Sequence, residues 1–366
     1  MKAFVTGTRG IPGIMGGVET HCEQLMPRLA ALGADITVAR RDKYVTSPLT
    51  EWEGVTLVDI PSPDHKAFEA IVHTWRALRE ARRRGADLVH IHAIGPALLA
   101  PVARMMGLRV VFTHHGPDYD RDKWGRMAKL MLRTGESMGC RYANQVIVIS
   151  NVIRDIVASR HGRTEGVNLI PNGVPAATHT DYPEYFAELR ITPERYVLGM
   201  SRFVPEKNLH HLVEAFAKAA PEGYKLVLAG DADFEDDYSR QLKQLARDNG
   251  VVLTGFVRGR KLASLLSNAA LYVLPSSHEG LPIALLEAMS YGLPVGVSAI
   301  PANLEVGLPA DDYFPVGDVD ALARLISAKL ASGPRHVDYD MSRYDWDNVA
   351  RDTLEVYRRA LKSRPH

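Results

Sequence analysis

The stretch "HEGLPIALLEAMSYGLPV", His278–Val295, follows the apolar run Leu271–Leu274 and leads into the run Pro294–Ser298. It reads as a strand, a loop, a short helix over Ile283–Ser290, and a second strand. Pro282 suits the first turn of that helix, because its fixed φ is already helical and its missing N–H is not needed there. The N–H groups of Ile283 and Ala284 then have no helical acceptor, and the positive end of the helix dipole lies behind them. Glu279 sits in the loop and Glu287 eight residues later on the helix. Carboxylates are pure acceptors, suited to the vicinal hydroxyls of a sugar ring or a ribose. Taken singly, Glu279 reads better as a charge partner of the helix N-terminus and Glu287 as an exposed helix acid; the whole string departs from chance.

Outward from this stretch, strands and helices alternate along nearly the whole chain. In the first half the strand-like runs are Ala3–Thr6, Asp35–Ala39, Val55–Ile60, Asp87–His92, Arg109–Thr113, Gln145–Ser150 and Asn168–Ile170. Helical spacing marks Val18–Leu32, Ala67–Arg83, Pro96–Met106, Lys123–Arg141 and Val152–Arg160. Between Pro171 and Pro193 the period fades among Asn172, Gly173, Pro175 and Pro183, which reads as a link with one short helix. A second series follows, with strands at Tyr196–Met200, Lys225–Ala229, Val251–Thr254, Leu271–Leu274 and Pro294–Ser298. Its helices are Leu209–Ala219, Tyr238–Asp248, Arg260–Asn268, Ile283–Ser290 and Val319–Leu330. Alternation of this kind predicts an α/β protein with parallel sheets covered on both faces, here two doubly wound, Rossmann-like domains facing a cleft. The expected division is residues 1–172, 173–342 and a terminal helix in 343–366 that has no strand of its own.

The bulk numbers fit a globular protein. Of the 366 residues, 46% are hydrophobic and 24% charged, and no apolar run reaches the ~18 residues of a membrane span. The chain enters a strand at once, so no secretory leader is expected. Cys22 and Cys140 give neither a disulfide framework nor metal-ligand spacing, and a reducing cytoplasm is the expected setting. Net charge is only +1, but Lys and Arg outnumber Asp and Glu by 23 to 17 through Ile170 and are outnumbered 21 to 26 beyond it. The basic half favours anionic company: a phosphorylated substrate, an acidic membrane surface or nucleic acid. Lys123–Arg141 sets Lys123, Arg126, Lys129 and Arg133 beside Trp124, Met127, Leu130, Met131 and Leu132, and Ala67–Arg84 ends in Arg82-Arg83-Arg84. Basic amphipathic helices can lie on anionic lipid, and ordinary packing on a sheet explains the same pattern.

"GTRGIPGIMGG", Gly7–Gly17, follows the first strand and offers a glycine-rich anion site. Gly7, Gly10 and Gly13 approach a nicotinamide fingerprint. Against that reading, Pro12, Gly13, Gly16 and Gly17 delay the helix, and the second strand ends in Arg40-Arg41 rather than an acid. The matching Tyr-x-x-x-Lys pair falls only at Tyr119 and Lys123, just after Gly116-Pro117-Asp118. In "SRFVPEKN", Ser201–Asn208, Arg202 and Lys207 stand five apart across a turn, placed for a diphosphate. In "FTHHGPD", Phe112–Asp118, His114 and His115 end a strand where such domains present ligand-binding residues.

With these motifs the chain resembles the GT-B glycosyltransferases of the retaining GT4 family. Glu279 and Glu287 match the family's E-x7-E motif, "SRFVPEKN" its Arg/Lys phosphate motif with Ser201 in place of the usual Gly, "FTHHG" its histidine-glycine loop, and "PNGV" its interdomain segment. "GTRGIPGIMGGVET" is further similar to the rhamnosyltransferase-like branch of bacterial surface polysaccharide synthesis. The resemblance implies a nucleoside diphosphate sugar as donor and a glycan or polyprenyl-linked acceptor, with transfer of a hexosyl group, no cofactor and no required metal. It implies that Arg202 and Lys207 neutralise the leaving diphosphate, helped by the amides of Ile283 and Ala284 and by Gly16-Gly17. Glu287 would hold the ribose, Glu279 with Gly280 and Leu281 the sugar, His115 the sugar from the acceptor side, and Phe256 and Val257 the base. The terminal helix would return to the first domain. Asp118–Asp122 and Asp231–Asp233 could imitate metal-binding acids, but cations already serve the phosphates. Nucleic acid is not expected, and association with the inner face of the cell membrane is compatible with the basic helices. A sugar-nucleotide epimerase of the same architecture, a nicotinamide-dependent sugar dehydrogenase or epimerase, and a non-catalytic sugar-binding module remain as alternatives.

Overall fold

The computed structural model describes the chain apart from residues 46–47, 64–68, 118, 120–124, 233, 334 and 364–366. It divides into two compact units, Met1–Gly173 with Arg343–His366, and Val174–Ser342.

The first unit is built on β1 (Lys2–Thr6), β2 (Asp35–Arg41), β3 (Glu51–Trp52), β4 (Val55–Ile60), β5 (Leu88–His92), β6 (Arg109–His114), β7 (Gln145–Val148) and β8 (Val167–Leu169). They lie in the order β3-β4-β2-β1-β5-β6-β7-β8, parallel except for the β3–β4 pair. The helices are α1 (Gly17–Ala31), α2 (Glu69–Arg83), α3 (Ala100–Met105), α4 (Arg126–Tyr142) and α5 (Asn151–His161). Central strands such as Phe4–Val5 and Val110–Phe112 are buried throughout, as a sheet covered on both faces requires. From β1 the chain steps outward through β2 to β4, then returns to β5 beside β1 and steps the other way. The reversal between β1 and β5 opens a crevice at the strands' carboxyl ends.

The second unit repeats the plan with α6 (Pro183–Leu189), β9 (Tyr196–Met200), α7 (Leu209–Ala219), β10 (Lys225–Ala229), α8 (Asp237–Asp248), β11 (Val252–Gly255), α9 (Gly259–Ser267), β12 (Leu271–Leu274), α10 (Ile283–Ser290), β13 (Val295–Ser298), α11 (Pro301–Leu304), β14 (Tyr313–Phe314) and α12 (Val319–Ala331). Its sheet runs β11-β10-β9-β12-β13-β14 and is wholly parallel. Here the reversal falls between β9 and β12.

The last helix, α13 (Trp346–Lys362), belongs to the first unit. Asp345 caps it by accepting the N–H bonds of Asp347 and Asn348. Its buried stripe of Trp346, Val349, Ala350, Leu354, Val356, Tyr357 and Ala360 enters one core with Leu25, Met26 and Leu29 of α1. Arg28 Nε donates to Asp347 Oδ1 at 3.0 Å and Asn144 Nδ2 to Ser363 Oγ at 2.7 Å. Gly173 passes so close that a Cβ there would lie 2.5 Å from Trp346 Cδ2.

Some local expectations shift. The helix expected over Pro96–Met106 splits into a 3-10 turn, Pro96–Leu99, and α3, because Pro101 supplies no N–H to a continuous helix. Pro282 is the N-cap of α10 with ψ 117° rather than part of its first turn. The strands β3 and β14, two residues each, carry too little pattern to be seen in the sequence. Ala67, Asp118, Asp120, Asp122, Lys123, Trp124 and Asp233 lie outside the described residues. Trp346→Ala is expected to cost about 3–5 kcal/mol, read by denaturant unfolding; a loss under about 1 kcal/mol would show that α13 does not hold the first core.

Candidate active site

In the second unit two loops flank the β9/β12 reversal. The loop after β9 carries Arg202 and Lys207, and the loop after β12 carries Glu279. They are sewn together by backbone and side-chain bonds: Ser277 N–H donates to Glu206 O at 2.9 Å, and Asn208 Nδ2 to Pro275 O at 3.2 Å. Lys207 Nζ meets Glu279 Oε1 at 2.5 Å, with both side chains largely buried. Arg202 is half-buried on the same loop. Ser201, where the family pattern has glycine, has no positive φ and therefore no backbone strain. The close approach here is at Gly230: with φ +132°, a Cβ would lie 2.0 Å from Ser201 O.

Next to this pair α10 begins. No side chain caps it, so the N–H groups of Ile283 and Ala284 are unspent at the positive end of the helix. Glu287 lies one turn in, and burial pushes its carboxyl up to about 7. Gly280 and Leu281 connect Glu279 to the helix; Leu281 is buried. Phe256 and Val257 follow β11 at the same sheet edge. Phe256 is exposed, with the Arg258 guanidinium 4.6 Å above its ring. The sequence-assigned residues of this unit thus gather at one sheet edge, with Lys207 and Glu279 in direct contact.

In the first unit the glycine-rich loop follows β1. Glu19 is its internal strut: the carboxylate accepts Arg9 N–H at 2.9 Å and Thr8 Oγ1–H at 3.2 Å. A Cβ at Gly16, φ +146°, would fall 2.0 Å from Glu19 Oε2, whereas one at Gly17 would meet nothing within 4 Å. Gly17 is therefore not required by packing. No side chain caps α1, and an uncapped helix start beside open space is a place for an anion.

His115 stands just past β6, half-buried. Its Nε2 is 2.9 Å from His92 Nδ1 at the end of β5. His21 on α1 pairs Nδ1 with Asn172 Oδ1 at 3.0 Å, and His90 bonds Tyr357 OH at 2.7 Å and Thr113 Oγ1 at 2.6 Å. Burial holds all four imidazoles neutral. His21 is pushed down to about 4 and His90 to about 3, while His92 and His115 fall well below the usual range, helped by their neighbouring rings. Ring nitrogens of His21, His92 and His115 lie within 4.8 Å of one another. A tetrahedral ion with ~2.1 Å bonds would need them about 3.4 Å apart, and the His92–His115 hydrogen bond would have to give way.

His114 is a different kind of residue. Its Nε2 bonds Glu136 Oε1 at 2.7 Å, and Tyr119 and His161 bond the same carboxylate. Burial raises the Glu136 carboxyl, but the bonds from His114, His161 and Tyr119 outweigh it and leave it below its ordinary value. Glu136, Glu19, His21 and His92 were not read from the sequence. Only their glycine- and histidine-rich neighbours signalled a site.

Fold and site together define a protein of two Rossmann-like α/β units, each with its candidate residues at the carboxyl edge of a parallel sheet. Residues 15–178 match the family described as Glycosyltransferase Family 4, and residues 181–344 that described as Glycosyl transferases group 1. An uncharacterized glycosyltransferase of Methanocaldococcus jannaschii is 26% identical over 96% of each chain. A GDP-mannose:cellobiosyl-diphosphopolyprenol alpha-mannosyltransferase of Komagataeibacter xylinus is 26% identical over 76% of this chain and 72% of its own. The structure of Anabaena HepE in complex with UDP-glucose superposes with a TM-score of 0.77 at 20% identity, covering 98% of this chain and 99% of that one. The chain belongs to the GT4-type glycosyltransferases of the GT-B fold.

Lys207→Met strands the Glu279 carboxylate and is expected to cost about 1–3 kcal/mol. In a double-mutant cycle with Glu279→Gln the two losses should fall short of additive by at least ~0.5 kcal/mol. Additive losses in denaturant unfolding would show that the pair contributes no coupling.

Proposed function

We propose that this chain is a retaining hexosyltransferase that takes a sugar from a nucleoside diphosphate donor to a glycan or polyprenyl-linked acceptor in bacterial surface polysaccharide synthesis. The observation that carries this reading is the convergence at the β9/β12 reversal of Lys207 on Glu279, beside the uncapped start of α10 and Glu287. Cations and amide hydrogens meet a diphosphate; carboxylates meet hydroxyls.

In this reading Arg202 and Lys207 stabilise the charge that develops on the departing diphosphate, together with the Ile283 and Ala284 amides. Loss of one such donor typically raises a barrier by about 3–4 kcal/mol. Glu279, already engaged by Lys207, contacts the sugar rather than attacking it. Displacement on one face then keeps the configuration: the acceptor oxygen bonds to the anomeric carbon, the bond to phosphate breaks, and the acceptor proton passes to a phosphate oxygen. The donor needs no metal for this, since side-chain cations do the neutralising. His115 bonds the sugar, Phe256 and Val257 hold the base, and Gly16-Gly17 with the open α1 terminus offers a further phosphate contact. The named activity of the Komagataeibacter relative, which uses GDP-mannose and a diphosphopolyprenol-linked glycan, and the UDP-glucose bound by HepE support the donor and acceptor classes. The rhamnosyltransferase-like branch rests on the Gly7–Thr20 motif.

The acceptor class accords with one surface. Met105 of α3 is 86% exposed, and Met127 and Leu130 of α4 are 78% and 61% exposed, with Arg126, Lys129 and Arg133 around them. Exposed apolar side chains interleaved with basic residues along α4 suit the interface of an anionic membrane. No described helix is long and apolar enough to cross a membrane. Met127→Asp with Leu130→Asp should abolish cosedimentation with phosphatidylglycerol vesicles and leave donor binding intact; unchanged cosedimentation would exclude this surface.

The donor is tested by thermal shift with UDP, GDP, dTDP and their sugars, since a ligand at 100 times its Kd stabilises by about 2.7 kcal/mol. One nucleotide series should raise Tm, and Glu287→Ala should weaken that rise. Hydroxyls donate more strongly to a carboxylate than to the neutral acid, so with a free carboxyl near 7 donor binding favours loss of the proton. Affinity should therefore strengthen as pH rises from about 6 to 8, and the slope should vanish in Glu287→Ala. No shift with any nucleotide would overturn the proposal.

A further inference from the structure

The His92–His115 hydrogen bond, 2.9 Å between Nδ1 and Nε2, has one proton and two ways to place it. Both rings are neutral, held so by burial and by neighbouring imidazoles. If His115 Nε2–H donates, His92 must carry its own proton on Nε2. That atom is buried and has no partner, so an N–H would be stranded there. If His92 Nδ1–H donates, the stranded atom is only a lone pair. Buried N–H groups without an acceptor are the rarer and costlier of the two, by the usual ~1–3 kcal/mol of an unmet donor. The second arrangement fixes His115 as the Nδ1–H tautomer. Among the described residues His115 Nδ1 has no hydrogen-bond partner, so its N–H is left available as a donor.

His21 follows the same pattern. Asn172 Oδ1 accepts its Nδ1–H at 3.0 Å, leaving a bare, buried Nε2. The ring stands edge-on to His115, 4.9 Å between centroids, and edge-on to His92 at 5.6 Å. His90 lies 4.0 Å from His92 by centroid and is itself fastened to Tyr357 and Thr113. Neighbouring rings on α1 and β5 therefore fix the seat of His92, and none of them offers its Nε2 a partner.

We infer that His92 is a positioning residue: its Nδ1–H holds His115 in the tautomer that presents a hydrogen-bond donor, not an acceptor, to the sugar. This rests on the role of His115 proposed above. The role itself is of a known kind, since an imidazole in the wrong tautomer loses most of its function without moving.

Nitrogen-15 labelled protein gives the test. Long-range proton–nitrogen correlation spectra, assigned with His115→Gln, should show His115 neutral and protonated on Nδ1 between about pH 6 and 8. In His92→Phe the His115 ring should shift to the Nε2–H form that free imidazole side chains prefer, and kcat should drop at least about tenfold with little change in donor KM. His92→Asn sets an amide N–H near the position of Nδ1, and it should restore the Nδ1–H signature and most of kcat. An Nε2–H signal for His115 in the unaltered protein would overturn the inference, as would a His92→Asn variant no better than His92→Phe while both keep the parent Tm. The spectra need no turnover: a correct tautomer in a chain that transfers no sugar would defeat the proposed function and leave only the hold of His92 on the His115 tautomer standing.

Discussion

Both candidate sites depend on a backbone crossing that admits no side chain. At Gly7, φ +97°, a Cβ would stand 2.1 Å from His92 O; at Gly230, φ +132°, it would stand 2.0 Å from Ser201 O. In each unit a glycine at the end of one strand lets the loop pass against the end of the next. That contact sets the path of the chain at the sheet's carboxyl edge. In the first unit it fixes the backbone of His92, and through it the ring that meets His115. In the second it fixes Ser201, and so the root of Arg202 and the turn that ends at Lys207. The chemistry of each unit is thus aimed by main chain before any side chain is considered.

The two edges are tuned oppositely. The first is dry and neutral: imidazoles stripped of water keep no charge, and what they offer is the direction of an N–H bond. The second is ionic. Lys207 and Glu279 pair there, and α10 adds the partial charge of unspent amides. Glu287, with no cation paired to it among the described residues, is pushed by burial up to about 7. A low dielectric forbids free charge in one place and strengthens paired charge in the other.

Much of this was legible in the residues. Strand and helix periods placed the strands of both sheets, apart from β3 and β14, because parallel strands covered on both faces must be apolar runs. The His278–Val295 string located Glu279, α10 and Glu287 within a residue or two. What escaped was whatever depends on tertiary approach. Nothing in the local pattern says that Lys207 will contact a residue 72 positions away, or that His21 will find Asn172 at a separation of 151. His114 and His115 are adjacent and look alike, yet alternate β geometry sends one into a Glu136 network and leaves the other at the sheet edge. Glu19 reads as an ordinary first-turn acid, and its role as strut appears only once Thr8 and Arg9 fold back on it.

The placement of α13 bears on how the molecule comes into being. Seven of its apolar side chains complete a core begun by residues near the amino terminus. During synthesis, the ribosome finishes the entire second unit before it makes Trp346. That unit carries its own contiguous core and is free to condense as it emerges, while the earlier-born half waits with its α1 face uncovered until α13 is made. Order of birth and order of completion are therefore reversed, and the exposed interval is one in which nascent-chain chaperones have surface to hold.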